Sequence, residues 1–287
     1  MYRILLALTV FTVFVAITWA ESPAETVKVP GQSVGLPLES ITRHEFQDLT
    51  TDTATHYLLY HPAESTNVSE RSLLIFLYGA GGSLENYNIA RPPYNALRAQ
   101  LAERGFYIMV PDLGKGHFMS DAAKTTLDGM VDHILEQERI RPNHVHIMGT
   151  SMGAGSSLAY AIHRPALIRS VCAVMPMTDF AQWVVENPRY LMPVAEAYGG
   201  TYEREPEAYD RNSAIRNVDA FAKIPVMLIH GNADEIVVYE QSKRLAELMK
   251  LKKYPCNFYT AEQMGHEDEV MRNFQAETVE FIEDANK

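Results

Sequence analysis

Five residues, Gly149-Thr150-Ser151-Met152-Gly153, constrain this chain more than any other feature. They stand between an apolar run, His144–Met148, and a stretch of helical composition from Ala154 through Ile162. A serine at the tip of a strand-to-helix turn sits in a strained backbone with its hydroxyl projecting. The positions two before and two after it can then carry almost no side chain, and Gly149 and Gly153 meet that demand. The helix that follows would aim its first backbone N–H groups toward negative charge developing beside the serine. The motif thus implies a strand before it, a helix after it and a nucleophile at the junction.

The rest of the chain supplies the matching pattern. Short apolar runs, His56–His61, Leu73–Leu77, Phe106–Val110, His144–Met148, Val171–Met175, Val226–Ile229 and Asn257–Thr260, predict strands. Between them Leu127, Met130, Val131, Ile134 and Leu135 recur at helical spacing. Leu245, Leu248 and Met249 do the same, as do Val270, Phe274, Phe281 and Ile282. Continuous apolar strands alternating with helices predict an α/β fold, a mostly parallel central sheet with helices on both faces. With 287 residues, 47% of them hydrophobic, the chain has material for one full core, which excludes disorder and disulfide miniproteins. No fixed-period repeat or low-complexity linker divides it. Residues 21–50, polar with scattered Gly and Pro, are expected to be a leader, with the catalytic domain over 51–287 and a short, irregular lid insertion at about 178–218.

The amino end has the pattern of an export signal. Arg3 precedes an apolar run from Ile4 to Ala20, small residues stand at Thr18-Trp19-Ala20, and Glu21 and Glu25 follow. The run is slightly short for a bilayer, which takes about 20 residues. The expectation is a signal peptide over 1–20 and a secreted or periplasmic protein, without stable membrane association after cleavage; the alternative is an uncleaved membrane anchor. A formal charge of −11, from 36 acidic and 25 basic side chains, gives no electrostatic footprint for nucleic acid.

A serine hydroxyl needs a base to attack a carbonyl, and the base needs an acid to orient it. On this architecture the chain order is serine, acid, histidine. Downstream, Val226–Ile229 runs into His230-Gly231-Asn232-Ala233-Asp234, which places Asp234 in a loop at the carboxyl end of a strand, where open α/β sheets hold their sites. His266 follows the last strand, and Gly265 beside it is expected to let the loop approach closely. His230 competes as the base but precedes the acid. The expected triad is Ser151, Asp234 and His266. For the oxyanion, the backbone N–H of Met152 and one from the loop Tyr78-Gly79-Ala80-Gly81-Gly82-Ser83 are expected, Ala80 before Gly79.

With these residues in place, the chain resembles an α/β-hydrolase over roughly residues 55–285. Its second half is similar to the catalytic domain of the prolyl oligopeptidase family. The similarity is carried by Gly149–Gly153, Tyr198-Gly199-Gly200, Pro206-Glu207-Ala208-Tyr209, Asn212-Ser213 and Ile224–Asp234. The loop Gly79–Ser83 resembles that of secreted esterases and polyester depolymerases of the same superfamily. The chain departs from the pattern at Tyr78, where those relatives have histidine, and at Val238, where they often have proline. The residues upstream are expected to be too few for a propeller domain.

The resemblance implies a secreted serine hydrolase that cleaves carboxylic esters, small or polymer-borne, through an acyl-enzyme and without a cofactor. The alternatives are an exopeptidase of prolyl oligopeptidase type without its propeller, and a non-catalytic binding protein on the same fold. Tyr78 and Trp183 are candidate substrate contacts, although Phe180, Trp183 and Tyr190 could equally pack the lid. His144 and His146 share a strand face, but no cysteine or acid stands beside them and no metal is expected. Cys172 and Cys256 are expected to be free thiols before a bridge, and Asn67-Val68-Ser69 matches a glycosylation acceptor.

Overall fold

Strands β4 (Ser72–Leu77), β5 (Phe106–Pro111), β6 (Val145–Thr150) and β8 (Val226–Gly231) are buried along their whole lengths, as apolar runs covered on two faces must be. The structure is a computed structural model that describes residues 25–26, 41–48, 53–62, 71–84 and 92–287. Among them nine strands form one sheet in the order β1-β2-β3-β5-β4-β6-β7-β8-β9. The six from β4 to β9 are parallel, including β7 (Ile168–Val174) and β9 (Cys256–Ala261). The first three, β1 (Glu25–Thr26), β2 (Ile41–Asp48) and β3 (Thr53–Tyr60), run antiparallel at one edge.

Successive side chains leave opposite faces of a strand, and each face builds its own core. Leu74, Phe76, Met148, Cys172, Met227 and Ile229 meet helices α1 (Pro92–Glu103), α8 (Glu269–Arg272) and α9 (Gln275–Asn286) on one side. Leu73, Ile75, Ile147, Val171 and Leu228 meet α2 (Asp121–Gln137), α3 (Met152–His163) and α7 (Glu240–Lys252) on the other. No described helix is long and apolar enough to cross a membrane.

Three expectations change. The stretch 21–50 is not wholly a leader, because Ile41–Asp48 pairs along its full length with β3, from Ile41 opposite Tyr60 to Asp48 opposite Thr53. Its mixed sequence, ITRHEFQD, hides a strand that buries only alternate or occasional residues. Phe46 packs on α2 so closely that a Cβ on Gly129 would lie 2.8 Å from its ring, and Thr126 donates to Asp48 at 2.6 Å. The insertion is helical rather than irregular: α4 (Phe180–Glu186), α5 (Leu191–Tyr198) and α6 (Pro206–Asn212) follow β7. The final helical stripe is broken between α8 and α9 at Asn273 and Phe274.

Cys172 and Cys256 are free thiols on β7 and β9. Strand β8 lies between them, and two interstrand steps of about 4.8 Å exceed the reach of a disulfide. Residues 1–20 and Asn67–Ser69 lie outside the described residues.

Candidate active site

The nucleophile turn is built by close backbone approach. Ser151 has φ 53° and ψ −119°, a left-handed value that a side chain normally avoids, and its N–H is held by Val174 O at 2.8 Å. A Cβ on Gly149 would lie 2.3 Å from Gly153 O, and one on Gly153 would lie 2.1 Å from Leu77 O. Both glycines are therefore sterically required, and the end of β4 lies directly against the turn. Tyr94 on α1 donates to the Thr150 hydroxyl at 3.1 Å and fixes the remaining side of the turn.

Two loops at the same carboxyl edge of the sheet bring in the partners. They are joined to each other: Asn232 N–H donates to Ala261 O, Ala233 N–H to Met264 O and Gln263 N–H to the Asn232 side chain. The glycine that permits this contact is Gly231, whose Cβ would lie 2.3 Å from Met264 O. Gly265, beside His266, has open room by comparison, with Ala233 O at 3.8 Å, so the role expected of it falls to Gly231. Asp234 folds its carboxylate over its own turn, Oδ1 accepting from the N–H groups of Ile236 and Val237. Its Oδ2 lies 2.6 Å from His266 Nδ1, and His266 Nε2 lies 2.8 Å from Ser151 Oγ. The Asp234 side chain is fully buried while that of His266 keeps 14% exposure, so the base alone of the pair meets solvent.

The electrostatics fit a relay. Burial works against the Asp234 carboxylate, but hydrogen bonds from His230 and His266, the His266 charge and the Val237 amide outweigh it and hold its carboxyl well below the usual carboxylate range. An ionised Asp234 accepts from Nδ1 of His266, which leaves Nε2 as the lone-pair side facing the Ser151 hydroxyl. Chemically, this arrangement can deprotonate Ser151 as it attacks and return the proton to a leaving group. His230, the competing base, is fully buried and lies behind the acid, with Nε2 2.8 Å from Val237 O and Nδ1 2.7 Å from Ser242 Oγ.

The loop after β4 lies against this turn. Gly81 and Gly82 spend their N–H groups on Lys115 O and Gly79 O, whereas those of Gly79, Ala80 and Met152 have no acceptor among the described residues. Met152 opens α3, where the first amides always lack an intrahelical partner. Tyr78 and Trp183, expected as substrate contacts, are turned inward instead. Tyr78 is 1% exposed, and its hydroxyl donates to Asp112 at 2.9 Å while accepting from Leu113 N–H at 3.2 Å. Burial and the neighbouring carboxylate raise the phenol well above its ordinary value. Trp183 is 2% exposed, donates to Ile236 O at 3.0 Å and stacks on Tyr190. An aromatic ring whose polar atom is already paired in the core has nothing left for substrate.

Asp112 and Asn187 escaped the sequence reading. Asp112 follows a strand, a position that signals the site, but nothing in its neighbours marks it as the partner of Tyr78. Asn187 donates to Ile236 O at 2.9 Å beside Trp183, a contact made only by the folding of the insertion. His144 and His146 do share a surroundings, but as a structural cluster: both rings meet Asn286 Oδ1, at 3.1 and 3.2 Å.

Comparison with known proteins agrees with this geometry. The chain is 25% identical over 183 residues to an uncharacterized peptidase, YtmA, of Bacillus subtilis, covering 61% of this chain and 68% of that one. It is 33% identical over 201 residues to Lipase 1 of Psychrobacter immobilis, covering 60% and 58%. A puromycin-hydrolyzing peptidase of Mycobacterium tuberculosis has the same fold, with a TM-score of 0.68 at 15% identity; the match covers 85% of this chain but 39% of that one. The model of the prolyl oligopeptidase family, Peptidase_S9, matches residues 94–287, which include Ser151, Asp234 and His266. This α/β-hydrolase chain belongs to the prolyl oligopeptidase family.

Proposed function

We propose that the protein is an exported serine hydrolase that cleaves carboxylic esters. The observation that carries the catalytic part is the unbroken contact from Asp234 through His266 to Ser151, at 2.6 and 2.8 Å. In this reading His266 takes the Ser151 proton as Oγ attacks the ester carbonyl. The tetrahedral oxyanion is met by the unpaired N–H groups of Met152 and Ala80, with Gly79 beside them. The protonated imidazole then gives its proton to the departing alcohol. Water, activated by the same imidazole, releases the acid from Ser151. Export rests on the signal pattern at residues 1–20.

The ester reading is supported by the lipase relative, and by chemistry: an alkoxide departs more readily than an amine, so an ester asks less of the acid step than an amide does. Peptide cleavage is the second reading, favoured by the family itself and by the peptidase relative. The test is a rate panel of esters and amides that share one acyl group, with Ser151→Ala as the blank. Ser151→Ala and His266→Ala should each remove turnover by on the order of 10⁶, and Asp234→Asn by on the order of 10⁴. Ester turnover retained in Ser151→Ala would overturn the catalytic assignment. Amide turnover exceeding that of the matched ester would replace the esterase reading with the peptidase one.

A further inference from the structure

The acid of the relay is gripped by a second imidazole, which the reaction as described leaves without a task. His230 is the penultimate residue of β8 and is fully buried. Its Nε2 stands 2.8 Å from Val237 O and 3.3 Å from Asp234 Oδ2, the oxygen that also receives His266. A carbonyl and a carboxylate can only accept, so Nε2 carries the hydrogen. Its Nδ1, 2.7 Å from Ser242 Oγ, then takes the serine proton in the neutral ring, which fixes the tautomer from the far side. The ring therefore holds the turn that carries Asp234 at two points, Val237 O and the carboxylate, while α7 holds the ring through Ser242.

We infer that His230 is a positioning residue for the relay: it shares the charge of Asp234 Oδ2 and fixes the turn from which that oxygen reaches His266. The inference rests on the serine-hydrolase reading. The titratable groups that face Asp234 are His230, from β8, and His266, from the loop after β9. His230 in turn faces Ser242 and the edge of Tyr239, whose ring centre lies 5.9 Å away. The competition at Oδ2 sets a sign. The His230 N–H, bonded to Val237 O and 3.3 Å from Oδ2, draws negative charge away from the side of the carboxylate that serves His266. Without it the carboxylate favours the protonated imidazole more strongly, and the base becomes competent only at higher pH.

The experiment compares His230→Phe with His230→Gln, which keeps a donor at the far end of a similar side chain, measuring kcat, KM and the pH dependence of kcat/KM on a simple ester. The Phe variant should lose about tenfold to a hundredfold in kcat with KM little changed. Its acid limb should also move to higher pH, and the Gln variant should recover most of both. Equal losses in the two variants with an unmoved acid limb would overturn the inference and leave His230 a packing residue, as would a folded His230→Phe with parental rates. If the Phe variant fails to fold, Ser242→Ala, which releases the ring from α7, decides by the same profile: a shift of the acid limb supports the inference and an unchanged profile overturns it. Covalent labelling by a fluorophosphonate, present in the parent protein and absent in Ser151→Ala, reports on the underlying reading separately.

Discussion

At the scale of single residues, the site depends on atoms placed to within a few tenths of an ångström. Ser151 is held in a left-handed backbone because Gly149 and Gly153 let three chain segments meet without side chains between them. Tyr78 shows the opposite use of a side chain. Its hydroxyl is tied to Asp112, and Gly81 N–H is tied to Lys115 O, so the loop bearing Ala80 is stapled at two points to the segment after β5. A phenol so committed braces the loop rather than donating to the oxyanion. Tyr78→Phe should therefore cost less than about tenfold in kcat, or roughly 1.4 kcal/mol. Loss of a direct oxyanion donor would cost on the order of 10²–10³, and a loss of that size in steady-state assays of the folded variant would make Tyr78 a catalytic residue.

At the scale of elements, the carboxyl ends of the strands carry the chemistry and the amino ends carry stability. Helix α9 shows the second role. Asn286 Oδ1 accepts from the Ser72 hydroxyl at 2.9 Å and meets His144 and His146, so one side chain joins the last helix to β4 and β6. His146 and Ser72 are fully buried, and removing their partner leaves polar groups unpaired in the core. Asn286→Ala should lower stability by about 1–3 kcal/mol in urea denaturation and leave kcat unchanged, because the site lies at the other end of the strands. A loss of activity at full stability would show that the two ends are coupled. The insertion belongs with the chemistry: Trp183 and Asn187 on and after α4 both donate to Ile236 O, two residues beyond Asp234.

For the molecule as a whole, buried and half-buried histidines set the acid limit of the fold. Burial pushes His117 down to about 3, while burial brings His146 to about 4 and, with the neighbouring His61 and His133, His44 to about 4. The free side chain takes up a proton near about 6.5. Protons therefore bind the unfolded chain first, and stability that is complete above about 6.5 is lost as pH falls from there toward these folded values. The melting temperature should drop between pH 7 and pH 4, and His146→Gln, with nothing to protonate at that position, should lose less over the same range. A melting temperature flat from pH 7 to 4 would contradict the burial of these rings. Asp234 has the same sign at lower pH: its carboxylate stays ionised through this window, and the stability it contributes is lost only as pH falls below the ordinary carboxylate value of about 3.9.

Much of the fold was legible in the chain. Strands buried on both faces read as unbroken apolar runs, and the helices between them as stripes, because burial acts on each residue locally. The nucleophile turn was equally legible, since its steric demand falls on residues two apart in sequence. The order of acid and base followed from the chain order that the architecture imposes. What the sequence could not specify depended on contacts between distant segments. Strand β2 mixes polar and apolar residues and becomes a strand only through pairing with β3 and packing of Phe46 on α2. Tyr78 and Trp183 look like site residues by position, and only the partners of their polar atoms, Asp112 and Ile236, turn them inward. Gly231 rather than Gly265 carries the close approach because the two loops meet there in space. His230 looked like a rival base; its distances to Val237, Ser242 and Asp234, fixed by the meeting of β8 and α7, place it behind the acid. Composition and periodicity record what each residue prefers, and only the tertiary structure decides which partner it receives.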